Sequence, residues 1–385
     1  MPFISAGDGD LKSVFITDVN LIDRFVGNRL YLWGINLNGQ LADNTVITRS
    51  YPIQSVSGGV NWKQVAGGYS SSCGIKTDGT LWTWGNNTSG KLGDNTTTNK
   101  SSPVQTVTGG TTWSQVSCGK AHTAAVKTDG TLWAWGNNAF GKLGDSTTTN
   151  KSSPVQTIAA GNNWKQVSCG SLHTAAIKTD GTLWSWGYNY YGRLGDNTIN
   201  DTSSPVQTVT GGTIWSSVAC GYYHTAAIKT DGTLWVWGNN DFGQLGNNTV
   251  VPKSSPIQIG MQKNWSKIAC GYYNTAAIKT DGTLWIWGIN SEGQLGDNTK
   301  THRSSPVQTI AGGNNWKQVA DGLALHTQAI KNDGTLWVWG KNSYGRLGDN
   351  TTTHRSSPVQ TAASGSNWKQ VTCGYRSSMA ITYGD

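Results

Sequence analysis

Residues 113–136 read WSQVSCGKAHTAAVKTDGTLWAWG, and this stretch decides the fold. Trp113 to Ser117 and His122 to Lys127 read as two short strands. Thr128, Asp129 and Gly130 then form a hairpin turn in which glycine supplies the positive φ. A third strand runs from Thr131 to Gly136 and puts Trp133 and Trp135 on one face, because strand side chains alternate with period two. A fourth is expected around Pro154 to Ile158.

The same pattern recurs along the chain. A Trp-Gly pair stands at Trp33, Trp84, Trp135, Trp186, Trp237, Trp287 and Trp339, in steps of 50 to 52 residues. Two residues earlier stand Tyr31, Trp82, Trp133, Trp184, Trp235, Trp285 and Trp337, and each unit opens on Trp62, Trp113, Trp164, Trp215, Trp265, Trp316 or Trp368. These three series hold all 20 tryptophans, so tryptophan is scaffold here and no single one is a ligand-binding candidate. Four antiparallel strands repeated about seven times predict an all-β, seven-bladed β-propeller. A solenoid would want capping units at its ends. Instead, the Trp-led half-unit occurs seven times from Trp62 onward, and the half ending in Trp-Gly and the Pro strand occurs seven times from Arg29 onward. The orphan half at each end pairs with the other, so one blade is shared by both termini and the ring closes as a clasp over residues 27–385. The small Ala124–Ala125 strand is expected nearest the axis, with the Trp-bearing strand farther out.

Composition agrees with this reading. Gly 50 and Trp 20 with 13% charged residues exclude a long helical bundle, and aromatics at 10% exclude a disordered chain. No apolar run approaches the ~18 residues that a membrane helix needs, so membrane insertion is not expected. The first ten residues carry Asp8 and Asp10 and do not read as a Sec-type signal. The net charge of +8 is spread without a basic run or arm, so nucleic-acid binding is not expected.

The spaced pattern Cys-Gly-x-x-His-Thr-Ala-Ala-Ile-Lys-Thr-Asp-Gly-Thr-Leu-Trp-x-Trp-Gly-x-Asn-x-x-Gly-x-Leu-Gly resembles the regulator-of-chromosome-condensation repeat over about residues 29–385. The resemblance implies a seven-bladed propeller with a two-terminus clasp. Members of that family include a guanine-nucleotide exchange factor for a small GTPase, a secreted β-lactamase inhibitor and many bacterial and phage proteins. Fold does not choose among such roles.

Chemistry repeats singly around the ring. His122, His173, His224 and His326 share one slot, with Ser71 and Asn274 in its place elsewhere; one per blade builds neither a triad nor a compact metal site. A structural hydrogen bond is expected of them. Cys118, Cys169, Cys220, Cys270 and Cys373 share another slot, taken by Gly67 and Asp321 in two units, while Cys73 lies apart on a second strand. Buried thiols in a reducing cytoplasm are expected, without disulfides. The Gly-x-Leu-Gly-Asp loops read as tight turns, since no Lys-Ser/Thr follows them. Lys76, Lys127, Lys178, Lys229, Lys279 and Lys331 form a ring, each two residues before a turn acid. No catalytic residue, metal or cofactor is expected.

The blades differ after Cys-Gly and after Trp-Gly, and in an up-down meander both loops emerge on the same rim. That varied face is tyrosine-rich, and Tyr190, Tyr191, Tyr222, Tyr223, Phe242, Tyr272 and Tyr273 are the expected contact sector for a protein or a host-surface glycan. Residues 1–26 form an extension in which Val14, Phe15, Ile16, Leu21, Ile22 and Phe25 are apolar enough to pack as extra strands against the shared blade or to dock on a partner chain or a further copy. The function expected is a non-enzymatic binding or structural module. The Asn/Thr-rich loops and near-identical repeats favour a phage virion component, tail-associated or surface-decorating and assembled in the host cytoplasm. A nucleotide-exchange adaptor or an inhibitor scaffold is the alternative.

Overall fold

The computed structural model describes residues 27–384, apart from 57–58, 109, 159–160, 211–213, 311–312, 323–324 and 364. Val14, Phe15, Ile16, Leu21, Ile22 and Phe25 therefore lie outside the described residues.

Seven four-stranded antiparallel sheets close a ring. Blade 1 is the clasp: Leu30–Gly34 and Arg49–Gln54 from the amino end join Trp368–Cys373 and Ser377–Thr382 from the carboxyl end. Within it Leu30 stands opposite Ile381 and Tyr31 opposite Ala380. Blades 2 to 7 span 62–105, 113–156, 164–207, 215–258, 265–308 and 316–360. In blade 3 the strands are Trp113–Cys118, His122–Lys127, Leu132–Gly136 and Lys151–Gln156, so the fourth starts three residues before its expected position.

The radial order differs from expectation. The Trp-led strands of neighbouring blades pack against one another all round the ring, so they are innermost and the Ala-Ala strand is second. Side-chain amides explain why such a strand tolerates the axis. Gln115 Nε2 donates to Val167 O at 2.9 Å while Val167 N donates to Gln115 Oε1 at 2.8 Å, mimicking a strand partner across the gap. Gln370 does the same to Val65, both bonds at 3.1 Å, and this links the last strand pair of the chain to blade 2.

Between blades the tryptophans latch. Trp186 is fully buried against Trp164 and donates Nε1–H to Lys142 O of the preceding blade at 2.9 Å. Thr174 Oγ1 donates to the same carbonyl at 2.8 Å. The acceptor is the backbone of x in Gly-x-Leu-Gly, and the second glycine is required: Gly144 has φ +70° and a Cβ there would lie 2.8 Å from Trp186 Nε1. These loops are the tight turns expected of them. Each is pinned from within by a buried asparagine; Asn138 Nδ2 donates to Asp145 Oδ1 and Leu143 N donates to Asn138 Oδ1, both at 2.9 Å. On the opposite rim, each lysine of the ring lies over two tryptophans; Lys229 Nζ is 4.1 Å from the Trp235 ring and 4.9 Å from that of Trp215. The turn acids beside them accept from threonine, as Asp129 Oδ1 does from Thr131 N at 2.9 Å.

The histidine ring is structural, as expected. His173 Nε2 lies 2.9 Å from Thr225 Oγ1 of the next blade, and burial drives the pKa of His224 down to about 3, so these imidazoles stay neutral. A Cβ on Gly170 would come within 2.5 Å of His173 Cε1, which explains Cys-Gly-x-x-His.

The cysteine slot holds a correction. Three cysteines of this slot pack on the first alanine of the preceding blade's second strand: Cys169 on Ala124, Cys220 on Ala175 and Cys270 on Ala226. Cys73 occupies that alanine position in blade 2, so it meets Cys118 and the two form a disulfide, with Cα atoms 6.9 Å apart. Cys169, Cys220, Cys270 and Cys373 are buried free thiols. The same contact elsewhere trades volume: Met379 stands in the alanine position opposite Gly67, where a Cβ would come 2.6 Å from its Cε.

Asp321 also follows from its neighbour. Asn274 replaces histidine in blade 6, and Asp321, in the cysteine slot of blade 7, meets it: Asn274 Nδ2 donates to Asp321 Oδ2 at 2.5 Å. Burial pushes this carboxyl well above its ordinary pKa. The folded state then holds a proton that the unfolded chain releases above about pH 4, so this residue makes stability fall as pH rises from there toward the folded-state pKa. Asp321→Asn, which needs only the asparagine pair to exchange an N–H···O bond, is expected to melt a few degrees higher at pH 7. The gap should close as pH approaches 4; an equal gap at both ends would show that ionisation is not its source.

Candidate functional site: the tyrosine rim

The loops after Cys-Gly and after Trp-Gly meet on one rim. Tyr191, in the Trp-Gly loop of blade 4, packs edge-on against Tyr223, in the Cys-Gly loop of blade 5, at 5.8 Å between ring centroids. Phe242 of blade 5 meets Tyr273 of blade 6 at 4.7 Å. Around these contacts runs one continuous aromatic band. It begins with Phe140 on Tyr188 at 4.5 Å, passes through Tyr190, Tyr191 and Tyr223, and ends with Phe242 on His302 at 5.4 Å. Tyr222 and Tyr272 close its inner side at 4.4 Å. Blades 3 to 6 thus share one surface made of ring faces and hydroxyls.

Arg193 lies under this band. It is fully buried, with Cζ 4.8 Å from the Tyr188 ring and 5.3 Å from that of Tyr223, and Nη1 donates to Tyr222 O at 3.2 Å. Burial lowers its pKa to about 10, which leaves it charged at neutral pH, and the neighbouring phenols favour that charge. Lys120 Nζ donates to the Tyr222 hydroxyl at 2.8 Å. Burial, then the neighbouring rings, holds the Tyr272 and Tyr273 phenols above their ordinary pKa, so they stay neutral donors.

Arg193 is the x of its Gly-x-Leu-Gly loop, and the seven residues in that slot fall into three groups. The glutamines fold back on their own loop: Phe242 N donates to Gln244 Oε1 at 3.0 Å and Glu292 N to Gln294 Oε1 at 2.9 Å. Arg193 and Arg346 instead reach into the Cys-Gly loop of the following blade. Lys91 and Lys142 are buried in the same slot, and burial lowers both to about 8. The slot therefore buries four cations, Lys91, Lys142, Arg193 and Arg346. Among the described residues no three His, Cys, Asp or Glu side chains are placed to hold a metal ion.

The sequence matches the RCC1-like domain over residues 29–324 and again over 115–385. The chain belongs to the RCC1-like family. This RCC1-like propeller is 32% identical over 362 residues to the ultraviolet-B receptor UVR8 of Arabidopsis thaliana, covering 92% of this chain and 71% of the receptor. It is 30% identical over 371 residues to the E3 ubiquitin-protein ligase HERC2 of Homo sapiens, covering 93% of this chain but 8% of the ligase. Among solved structures it superposes on human WBSCR16 with a TM-score of 0.81 at 23% identity, covering 93% of this chain and 99% of that one. Yeast RCC1 (Prp20) bound to Kap60 gives 0.80 at 18% identity, covering 100% and 96%. At these identities the superpositions show the fold.

Of the rim residues picked out from the sequence, the RCC1-like propeller brings all seven into the one band. Tyr190 is 59% exposed, and Tyr191, Tyr223, Phe242, Tyr272 and Tyr273 are half-buried. Tyr222 departs from expectation: it is 8% exposed and packs under its neighbours, so it supports the band instead of forming its surface. Sequence reasoning missed Tyr188, Phe140, His302 and Arg193. The signal for Arg193 was present, since x varies among Gln, Lys and Arg inside an otherwise repeated loop. It also missed a second stack on the same rim, Tyr69 on Tyr375 at 3.7 Å.

Proposed function

We propose that this RCC1-like propeller is a protein-binding module that engages its partner through the aromatic band of blades 3 to 6. The observation that carries the reading is the band itself: rings from two sets of loops are held edge to face over a buried arginine, and that pre-set order lowers the entropy lost on binding. Tyrosine and arginine are among the residues enriched at the hot spots of protein interfaces. The family supports it in kind: the yeast RCC1 is seen bound to Kap60, and Prp20p is described by its binding to Gsp1p and histones. The ligase activity named for HERC2 is not carried over, because this chain spans 8% of that protein.

Replacing Tyr190 or Tyr273 with a photo-crosslinking phenylalanine, in cells of the source organism, should capture a partner. The same group at Thr128 or Thr179, on the opposite rim, should capture none; equal capture on both rims would defeat the proposal. A place in a phage particle is a finer form of it that rests on the Asn/Thr-rich loops and the near-identical repeats. Mass spectrometry of purified particles decides that point.

A further inference from the structure

On the same rim, outside the aromatic band, a cavity of about 360 Å³ opens between blades 7 and 1. Its wall includes Arg346, Arg376, Lys341, Tyr344, Tyr375 and, from the band, Tyr272. The two guanidiniums share one ring: Tyr344 lies 5.6 Å from Arg346 Cζ and 5.1 Å from Arg376 Cζ. Arg376 is also 5.0 Å from the Tyr375 ring, and Tyr375 is stacked on Tyr69. The cations are thus fixed in orientation before any ligand arrives.

Three cations, Lys341, Arg346 and Arg376, stand in the wall of the cavity. Among the described residues the acid acting on Arg346 is Glu292, whose Oε1 holds Lys341 Nζ at 3.2 Å and whose Oε2 holds His354 Nδ1 at 2.8 Å, so both oxygens are committed. Among the described residues Arg376 has no acid within ion-pairing distance. Burial first, then the charge of Arg376, lowers the pKa of Arg346 to about 10, so the two cations oppose one another across the cavity. An anion between them would relieve that opposition. Arginine forks match a carboxylate in paired hydrogen bonds.

We propose that this cavity receives an aspartate or glutamate side chain of a partner polypeptide, with the residues beside it lying over Tyr272 onto the aromatic band. The proposal rests on the protein-binding reading above and adds the chemistry of the partner. A cavity of this volume admits one side chain and its flanking backbone, and the half-buried Arg376 is the guanidinium open to direct contact, since Arg346 is 1% exposed. A nucleic-acid strand would need, beside aromatic rings, a positively charged groove that tracks its backbone, whereas the cations here converge on one cavity.

The test is a selection from a random twelve-residue peptide display library on the full chain. Enriched sequences should carry Asp or Glu beside an aromatic or aliphatic residue. Their affinity should fall at least tenfold in Arg376→Gln, a half-buried loop change that should leave the melting temperature unaltered, and should weaken as salt rises. Changing the acidic residue of a selected peptide to its amide should cause the same loss. Binders without acidic residues, affinity unchanged in Arg376→Gln, a preference for a single-stranded oligonucleotide over the selected peptides, or no enrichment would each overturn the proposal. Peptides that lose affinity in Tyr273→Ala but not in Arg376→Gln would leave the aromatic-band reading standing while removing this one.

Discussion

Replacing Trp186 with alanine is expected to lower the unfolding free energy by about 3–5 kcal/mol, the range for deleting a buried large aromatic side chain. Nothing can collapse into the space, because the indole is fully buried between blades 3 and 4 and wedged against Trp164 at 6.1 Å. Its Nε1–H is also one of two donors on Lys142 O. Trp186→Phe separates the terms: it keeps most of the ring, leaves Thr174 on that carbonyl, and should cost only about 1 kcal/mol from the lost hydrogen bond plus a modest packing loss. Chemical denaturation of the three proteins measures both. Equal losses for Phe and Ala would mean that the hydrogen bond, and not the packed volume, holds the blades together.

Ending the chain at Gly374 is expected to do more. The strand removed, Ser377–Thr382, is flanked on both sides, by Leu30–Gly34 and by Trp368–Cys373. Its Met379, Ala380 and Ile381 are fully buried. Without it Leu30–Gly34 and Arg49–Gln54 have no sheet to join, and Trp368–Cys373 loses its one strand partner. The truncated chain should lose its cooperative thermal transition and shift its tryptophan emission to the red. Retention of a single sharp transition near the wild-type temperature would show that six blades hold the ring without the clasp.

The blade count, the strand content and the shared blade were legible because they depend on periodicity, and periodicity is written along the chain. The order of strands from the axis was not. Small side chains at Ala124 and Ala125 suggested the innermost place, yet crowding there is met by Gln115 and its equivalents bonding backbone across the gap, which spacing alone does not reveal. The Cys73–Cys118 bridge was hidden for a related reason: Cys73 looks isolated until the position is known to face the cysteine slot of the next blade. The aromatic band was largely readable, because its members vary where the repeat does not. Arg193, Arg346 and Arg376 were harder to see, since a cation's role depends on which rings and loops close around it, and that is a property of the assembled rim.

Seven nearly interchangeable wedges raise a question of addressing: what keeps a folding blade from seating against the wrong neighbour? The contacts that break the repeat supply an answer. Gly67 leaves room for Met379, Asp321 answers Asn274, and Cys73 finds Cys118. Shift the ring by one unit and Met379 would face a cysteine side chain with no room for it, while Asp321 would face a histidine slot already bonded elsewhere. Such mismatches disfavour the out-of-step ring more than the matches favour the right one. The irregularities thus act as keys, each cut for one lock, in a wheel whose remaining teeth are alike.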